Sequence, residues 1–178
     1  MFEFFLKGGI LMWPILLCSV IAITIILERF YYLRKSETDI SNFLLGLKNF
    51  VNEKKLTQAE LEKRIALMGS QQVREWEKNL RGLATIANVA PLLGLLGTVF
   101  GMIRAFMKIQ QLGGQVDASV LSGGIWEALL TTAAGLTVAI PVLIAYHYFE
   151  GKVDNYSSQL KNSVGEYLES LSGEESGI

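Results

Sequence analysis

Three long uncharged runs constrain this chain more than any other feature. They cover residues 8–27, 82–103 and 128–149, if the histidine in the last run is counted as neutral. A helix of about 20 residues crosses a hydrocarbon core about 30 Å thick. Because lipid offers the backbone no hydrogen-bond partners, each run must be a helix. The sequence therefore predicts an all-α integral membrane protein with three transmembrane helices.

Composition and charge support this class and argue against others. Of the 178 residues, 51% are hydrophobic, which is more apolar surface than one soluble domain of this size can hide. The net charge of −1 gives no basic surface for a nucleic acid. With one cysteine, Cys18, and one histidine, His147, an internal disulfide is impossible and a Cys/His metal site is disfavoured. No cofactor is expected.

The distribution of basic residues predicts the topology. Ten of the sixteen basic residues lie between 34 and 81, so the positive-inside rule places this segment in the cytoplasm. Arg104 and Lys108, near the opposite end, are expected to snorkel. The predicted order is an outer N-terminus (1–7), a first transmembrane helix (8–33), a cytoplasmic helical segment (34–81), a second transmembrane helix (82–112), an outer turn (113–119), a third transmembrane helix (120–149) and a cytoplasmic helical tail (150–178).

Helical periodicity and caps predict how the spans continue. The first run is expected to be retained, because it is too long for a signal peptide and Glu28 and Arg29 begin an interfacial belt after it. Thr57 and Glu60 fit a capping box. Two apolar stripes at helical spacing predict that the second and third helices extend well into the cytoplasm. Their members are Val73, Trp76, Leu80, Leu83 and Ala87, and Val153, Tyr156, Leu160, Val164, Tyr167 and Leu171.

Small residues and prolines mark the second and third spans as closely packed. Small residues at helical spacing let two backbones approach in lipid; they are Ala90, Gly94, Gly97, Gly101 and Gly135. Pro91 and Pro141 lie inside the two spans, as Pro14 does in the first. Each proline frees a carbonyl that a neighbouring helix can satisfy. We favour kinks that aid packing, with hinges as the alternative.

Four polar residues in these spans are candidates for chemistry, and Thr98 and Glu127 each have two interpretations. Thr98 either bonds back to its own helix, which is functionally silent, or serves a function. Glu127 either faces the interface, where the helix dipole favours it, or is an ionisable group facing a polar cavity. Thr131 shares the face of Glu127, and Thr132 lies to one side of it. The usual catalytic motifs are absent from the sequence, so an enzyme is not expected.

These residues lie in two stretches that resemble a known family. The stretches are Ala-Pro-Leu-Leu-Gly-Leu-Leu-Gly-Thr-Val-Phe-Gly at 90–101 and Gly-Ile-Trp-Glu-Ala-Leu-Leu-Thr-Thr-Ala-Ala-Gly-Leu-Thr-Val-Ala-Ile-Pro at 124–141. They resemble the MotA/TolQ/ExbB family of proton-channel subunits, most closely its ExbB and TolQ branch. A weaker match is Glu28-Arg29 at the end of the first helix. Both long motifs occur in the right order on a three-helix frame.

The resemblance implies a homopentamer in the bacterial inner membrane, with the outer side in the periplasm. Helices two and three would line a pore around the single-span helices of an ExbD- or TolR-like partner, which carries an essential aspartate. Proton flow would energise a TonB- or TolA-like protein. Thr98 and Thr132 match the family's pore threonines, and Glu127 matches its glutamate. Thr131 is counted with them, although small apolar residues would also fit there.

Three functions remain open at this stage. A proton-driven motor subunit, which the resemblance implies, is the leading hypothesis. Because no aspartate lies in any of the three uncharged runs, a partner would then supply the carboxylate. A passive membrane scaffold that assembles a partner complex explains the glycines equally well. A sodium-driven motor subunit shares the same architecture. The two threonines and Glu127 distinguish the motor from the scaffold, because a scaffold should tolerate their replacement.

Overall fold

The chain is helical throughout the residues that a computed structural model describes. These are residues 8–53, 58–111 and 118–175, with side chains at 8–34, 45–46, 60, 63–111 and 122–166. The helices are α1 (Met12–Glu53), α2 (Gln58–Glu77), α3 (Leu80–Gln111) and α4 (Ala118–Glu175). The predicted all-α class is confirmed.

Three helical stretches of the described chain are long and apolar enough to cross a membrane. They lie within Met12–Arg34, Lys63–Gln111 and Ser122–Glu166. Large apolar side chains on these stretches are exposed, with Leu17 61%, Leu92 62% and Ile144 66% accessible. A soluble monomer rarely exposes so much contiguous apolar surface, whereas lipid or a further subunit can cover it. The prediction of a membrane protein with three apolar helices is confirmed.

The helix bounds differ from the predicted segment boundaries. Helix α1 continues to Glu53, so the first predicted span and the start of the cytoplasmic segment form one helix. Pro14 lies in the first turn of α1, where the missing N–H costs nothing, and α3 and α4 continue through Pro91 and Pro141. The N-terminus (1–7), Thr57 of the proposed capping box, and most of the predicted outer turn lie outside the described residues.

The described residues form two compact units. The membrane unit comprises residues from 1–26 and 81–146, and the second unit comprises residues from 27–80 and 147–178. In the second unit, the rings of Trp76 and Tyr156 lie 5.7 Å apart, and the Tyr156 hydroxyl donates to the Leu33 carbonyl at 3.2 Å. Burial of Trp76, Tyr156 and Leu33 makes them the centre of this unit's core.

A turn interrupts the apolar stripe that was expected to continue into the second span. Helix α2 ends at Glu77 and α3 begins at Leu80. Between them, Asn79 has a φ of 62°, a left-handed conformation that asparagine tolerates at the end of a helix. Trp76 and Leu80 are nevertheless buried. The stripe that was expected to run straight into the second span is therefore divided between two helices, α2 and α3.

The Arg29 side chain donates hydrogen bonds to backbone carbonyls at the end of α2, inside the second unit. Its side chain is only 2% exposed, and its Nη1 donates to the carbonyls of Glu75 at 3.0 Å and Trp76 at 3.4 Å. These carbonyls lie in the last turn of α2, where no further helical N–H is available. Glu28 accepts from Arg29 at 2.8 Å and from the Asn79 side chain at 2.7 Å. The Glu28–Arg29 pair therefore holds the helix break in place.

We expect Arg29→Ala to destabilise the second unit by about 2–3 kcal/mol, because hydrogen bonds from a charged donor to buried carbonyls would be lost. The measurement is the thermal unfolding of the purified protein in detergent. Arg34→Ala is the matched control, because Arg34 lies on the same helix but is exposed, and its change should stay within about 0.5 kcal/mol. Equal stability of the two variants would contradict the capping role.

Candidate functional site

A row of small residues brings the backbones of α3 and α4 together in the membrane unit. A Cβ on Gly135 would lie 2.6 Å from the Ala90 carbonyl oxygen, and one on Gly94 would lie 3.1 Å from that of Thr131. A Cβ on Gly101 would lie 3.0 Å from the Gly124 carbonyl oxygen. As positions rise along α3, their partners fall along α4, so the helices are antiparallel. We call this contact the small-residue seam.

The seam contains every residue that the sequence suggested for helix packing. Ala90, Gly94, Gly97, Gly101 and Gly135 are all buried. Gly97 faces the Thr131 side chain so closely that an added methyl group would collide with it. The opposite face of α3 is apolar and exposed at helical spacing. Its members are Leu92, Leu95, Val99, Ile103 and Phe106.

The two threonines that match the pore motif donate to consecutive carbonyls of α3. Thr132 of α4 donates across the seam to the Gly94 carbonyl at 2.9 Å. Thr98 donates to the Leu95 carbonyl of its own helix at 2.6 Å, which is the bonding described by the silent interpretation. Both side chains are half-buried. A threonine hydroxyl that donates its proton keeps lone pairs that can accept a hydrogen bond, so both can receive a proton donor.

Thr131 is directed differently from Thr132. Its side chain is 1% exposed, and its hydroxyl lies 2.7 Å from the Glu127 carbonyl and 3.2 Å from the Gly8 carbonyl. It has one proton to donate, and the shorter contact is the bond back to its own helix. Thr131 therefore joins α4 to the residues before α1 and has no exposed surface for an ion.

Glu127 forms an ion pair with Arg104 of α3. The Glu127 side chain is 24% exposed and that of Arg104 is 51% exposed. A shallow depression lined by Ser122, Gly123, Trp126 and Glu127 opens beside the pair. Neither interpretation of Glu127 anticipated this partner, and Arg104 was expected to snorkel towards the interface. Two opposite charges near the same end of consecutive antiparallel helices were the sequence signal for the pair.

Gly9 lies against the same ion pair. Its φ is +73°, and an added Cβ would collide with the Glu127 carboxylate and lie 3.5 Å from Arg104 Nη1. No pattern in the sequence singled out Gly9, because glycines near the start of a helix are common. Among the described residues, no group of three or more His, Cys, Asp or Glu side chains is placed to hold a metal.

Comparison with known proteins identifies relatives of this sequence. The sequence model of the MotA/TolQ/ExbB proton channel family matches residues 34–162. An ExbB-like biopolymer transport protein of Synechocystis is 34% identical over 173 residues, covering 80% of this chain and 67% of the relative.

Two further relatives match shorter parts of their own chains. The biopolymer transport protein ExbB of Salmonella typhimurium is 36% identical over 65% of this chain and 45% of its own length. The Tol-Pal system protein TolQ of Haemophilus influenzae is 31% identical over 70% of this chain and 58% of its own length. This chain thus spans about half the length of these two relatives.

We expect Gly124→Ala to destabilise the membrane unit by about 1–3 kcal/mol, the usual cost of overpacking. Its Cβ would lie 2.7 Å from the Ala105 Cβ across the seam. Gly123→Ala is the matched control, because an added Cβ there meets nothing within 4 Å and alanine favours the helix. Thermal unfolding in detergent compares the two, and equal melting temperatures would contradict the tight seam.

Proposed function

Because this chain belongs to the MotA/TolQ/ExbB proton channel family, we propose that it is a subunit of a proton-driven motor of the ExbB/TolQ type. It would use the proton motive force to energise a TonB- or TolA-type process at the outer membrane. The proposal places it in the bacterial inner membrane, with the N-terminus in the periplasm and the C-terminus in the cytoplasm. The basic segment between residues 34 and 81 supports this orientation.

The observation that carries the proposal is the placement of Thr98 and Thr132 on consecutive carbonyls of α3. Two half-buried hydroxyls thus lie at one level of the α3–α4 pair. Hydroxyls can both accept and donate hydrogen bonds without adding a charge. They suit a pathway in which a proton arrives on a carboxyl group and leaves it again.

The carboxyl group itself would come from another chain. No aspartate lies in the uncharged runs of this sequence, and Glu127 is paired with Arg104. We propose that an ExbD- or TolR-like single-span protein supplies an acidic side chain at the level of the two threonines. Burial of that acid between helices favours its neutral form, which allows it to take up a proton.

The exposed apolar stripe of α3 supports assembly from several copies. Leu92, Leu95, Val99, Ile103 and Phe106 form one face, opposite the small-residue seam. In lipid this face can pack against another helix or against acyl chains. We propose a homopentamer in which α3 and α4 of each copy surround the partner's helices, with a TonB- or TolA-like protein receiving the motion.

A passive scaffold is the second candidate, favoured by the Thr98 hydroxyl, which is already satisfied by its own helix. A scaffold needs the small-residue seam but not the hydroxyls. A sodium-driven motor would instead coordinate the ion with oxygen ligands. Proton and sodium coupling are distinguished by measuring flux with each ion gradient alone.

We expect Thr98→Val and Thr132→Val each to reduce proton flux about tenfold or more, because each removes a hydrogen-bonding group worth about 1.5 kcal/mol or more next to a charge. The measurement uses vesicles containing this chain, its co-purified partner and an internal pH-sensitive dye. Thr98→Ser and Thr132→Ser keep the hydroxyl and should retain most of the flux.

Thr24→Val is the matched control for the threonine variants. Thr24 also bonds back to its own helix, donating to the Val20 carbonyl at 2.9 Å, but it lies on α1. Its replacement should leave flux unchanged. Assembled complexes whose flux survives both Thr98→Val and Thr132→Val would reject the motor and favour the scaffold.

A further inference from the structure

The ion pair between Arg104 and Glu127 joins two helices. Arg104 lies on α3 and Glu127 on α4, 23 positions apart in the sequence. Removing one partner of the pair leaves the other charge without its counter-charge, and of the two side chains Glu127, at 24% exposed, is the more buried. The pair therefore helps to fix the register of α3 against α4 at this end of the membrane unit.

A third segment packs on the same pair. Residues 8–11 form a turn before α1, closed by a bond from the Met12 N–H to the Gly9 carbonyl at 3.2 Å. Gly9 lies so close to the Glu127 carboxylate that any side chain there would collide with it. Beside it, the Gly8 carbonyl lies 3.2 Å from the Thr131 hydroxyl. Three segments thus meet at one charged pair.

We propose that Arg104 is a positioning residue that holds Glu127 in an ion pair, so that Glu127 fixes the 8–11 turn, α3 and α4 together and does not carry the transported proton. The statement that Glu127 does not carry the transported proton rests on the proposed motor function. A proton carrier alternates between a charged and a neutral form. In this chain each neutral stage would leave the half-exposed Arg104 guanidinium without its counter-charge, at the point where Gly9 packs against Glu127.

Variants that neutralise or reverse the two charges test the pair. Arg104→Gln and Glu127→Gln should each lower both the melting temperature of the purified complex in detergent and the proton flux of vesicles containing it. The double variant Arg104→Glu/Glu127→Arg should recover more than about half of each loss, because it restores an oppositely charged pair. Arg104→Lys keeps the charge but not the planar guanidinium group. It should therefore lose less melting temperature and less flux than Arg104→Gln does.

Lys108→Gln is the matched control for charge. Lys108 is one turn further along α3 and exposed, so the variant removes an equal charge without touching the pair. Its melting temperature and flux should match those of the unmodified protein. An Arg104→Gln variant that behaves like Lys108→Gln in both measurements would overturn the proposal.

The two measurements separate a positioning role from a proton-carrying role. A reversed pair that recovers the melting temperature while flux stays absent would show that the carboxyl group is needed at position 127, and it would overturn the proposal. If flux is absent even in the unmodified complex, or persists when both pore threonines are replaced by valine, the motor function fails instead. The melting temperatures then still decide whether Arg104 and Glu127 are coupled.

Gly9→Ala tests the third segment without altering any charge. The added methyl group should push the 8–11 turn away from Glu127 and lower the melting temperature. The loss should be smaller in a Glu127→Ala background, where the carboxylate that the methyl group meets is absent. An equal loss in both backgrounds would show only the strain of alanine at the positive φ of Gly9, and it would remove the turn from the proposed arrangement.

Discussion

The close approach of α3 and α4 is the constraint on which the rest of the membrane unit depends. Across the small-residue seam, the carbonyls of one helix lie where the other would place a Cβ, as at Gly135 and Gly101. Only this proximity allows the Thr132 hydroxyl to reach the Gly94 carbonyl. The same register brings Arg104 beside Glu127. Bulkier residues would separate both contacts, so the glycines are a condition for the polar site.

Two arginines show how charge is accommodated in this apolar chain. Arg29 is buried and donates to the last carbonyls of α2, with Glu28 as its counter-charge. Arg104 pairs with Glu127 on the neighbouring helix. In both cases the charge has a partner of opposite sign, although Arg29 is buried and Arg104 is half-exposed. Both pairs fix where helices meet: Arg29 at the break between α2 and α3, and Arg104 at one end of the seam.

The helices and the seam were predictable because they depend on composition and spacing within one helix. Uncharged runs identify the spans, and small residues at helical spacing identify the packed face of α3. The break at Asn79 was hidden because the apolar stripe continues across it, from Trp76 to Leu80. The partners of Arg29 and Glu127 were missed because they depend on the register between helices, which periodicity within one helix does not specify. For the same reason, Gly9 became recognisable only through its neighbours in space.

The proposed motor therefore has its working parts divided between chains. This chain supplies a rigid helix pair with two hydroxyls, and a partner supplies the acid that they serve. The most direct test is the native mass of the complex purified from its own membrane, with each component identified. We expect several copies of this chain together with a small single-span protein that has an aspartate in its apolar segment. A monomer, or an oligomer of this chain without any acidic single-span partner, would contradict this division.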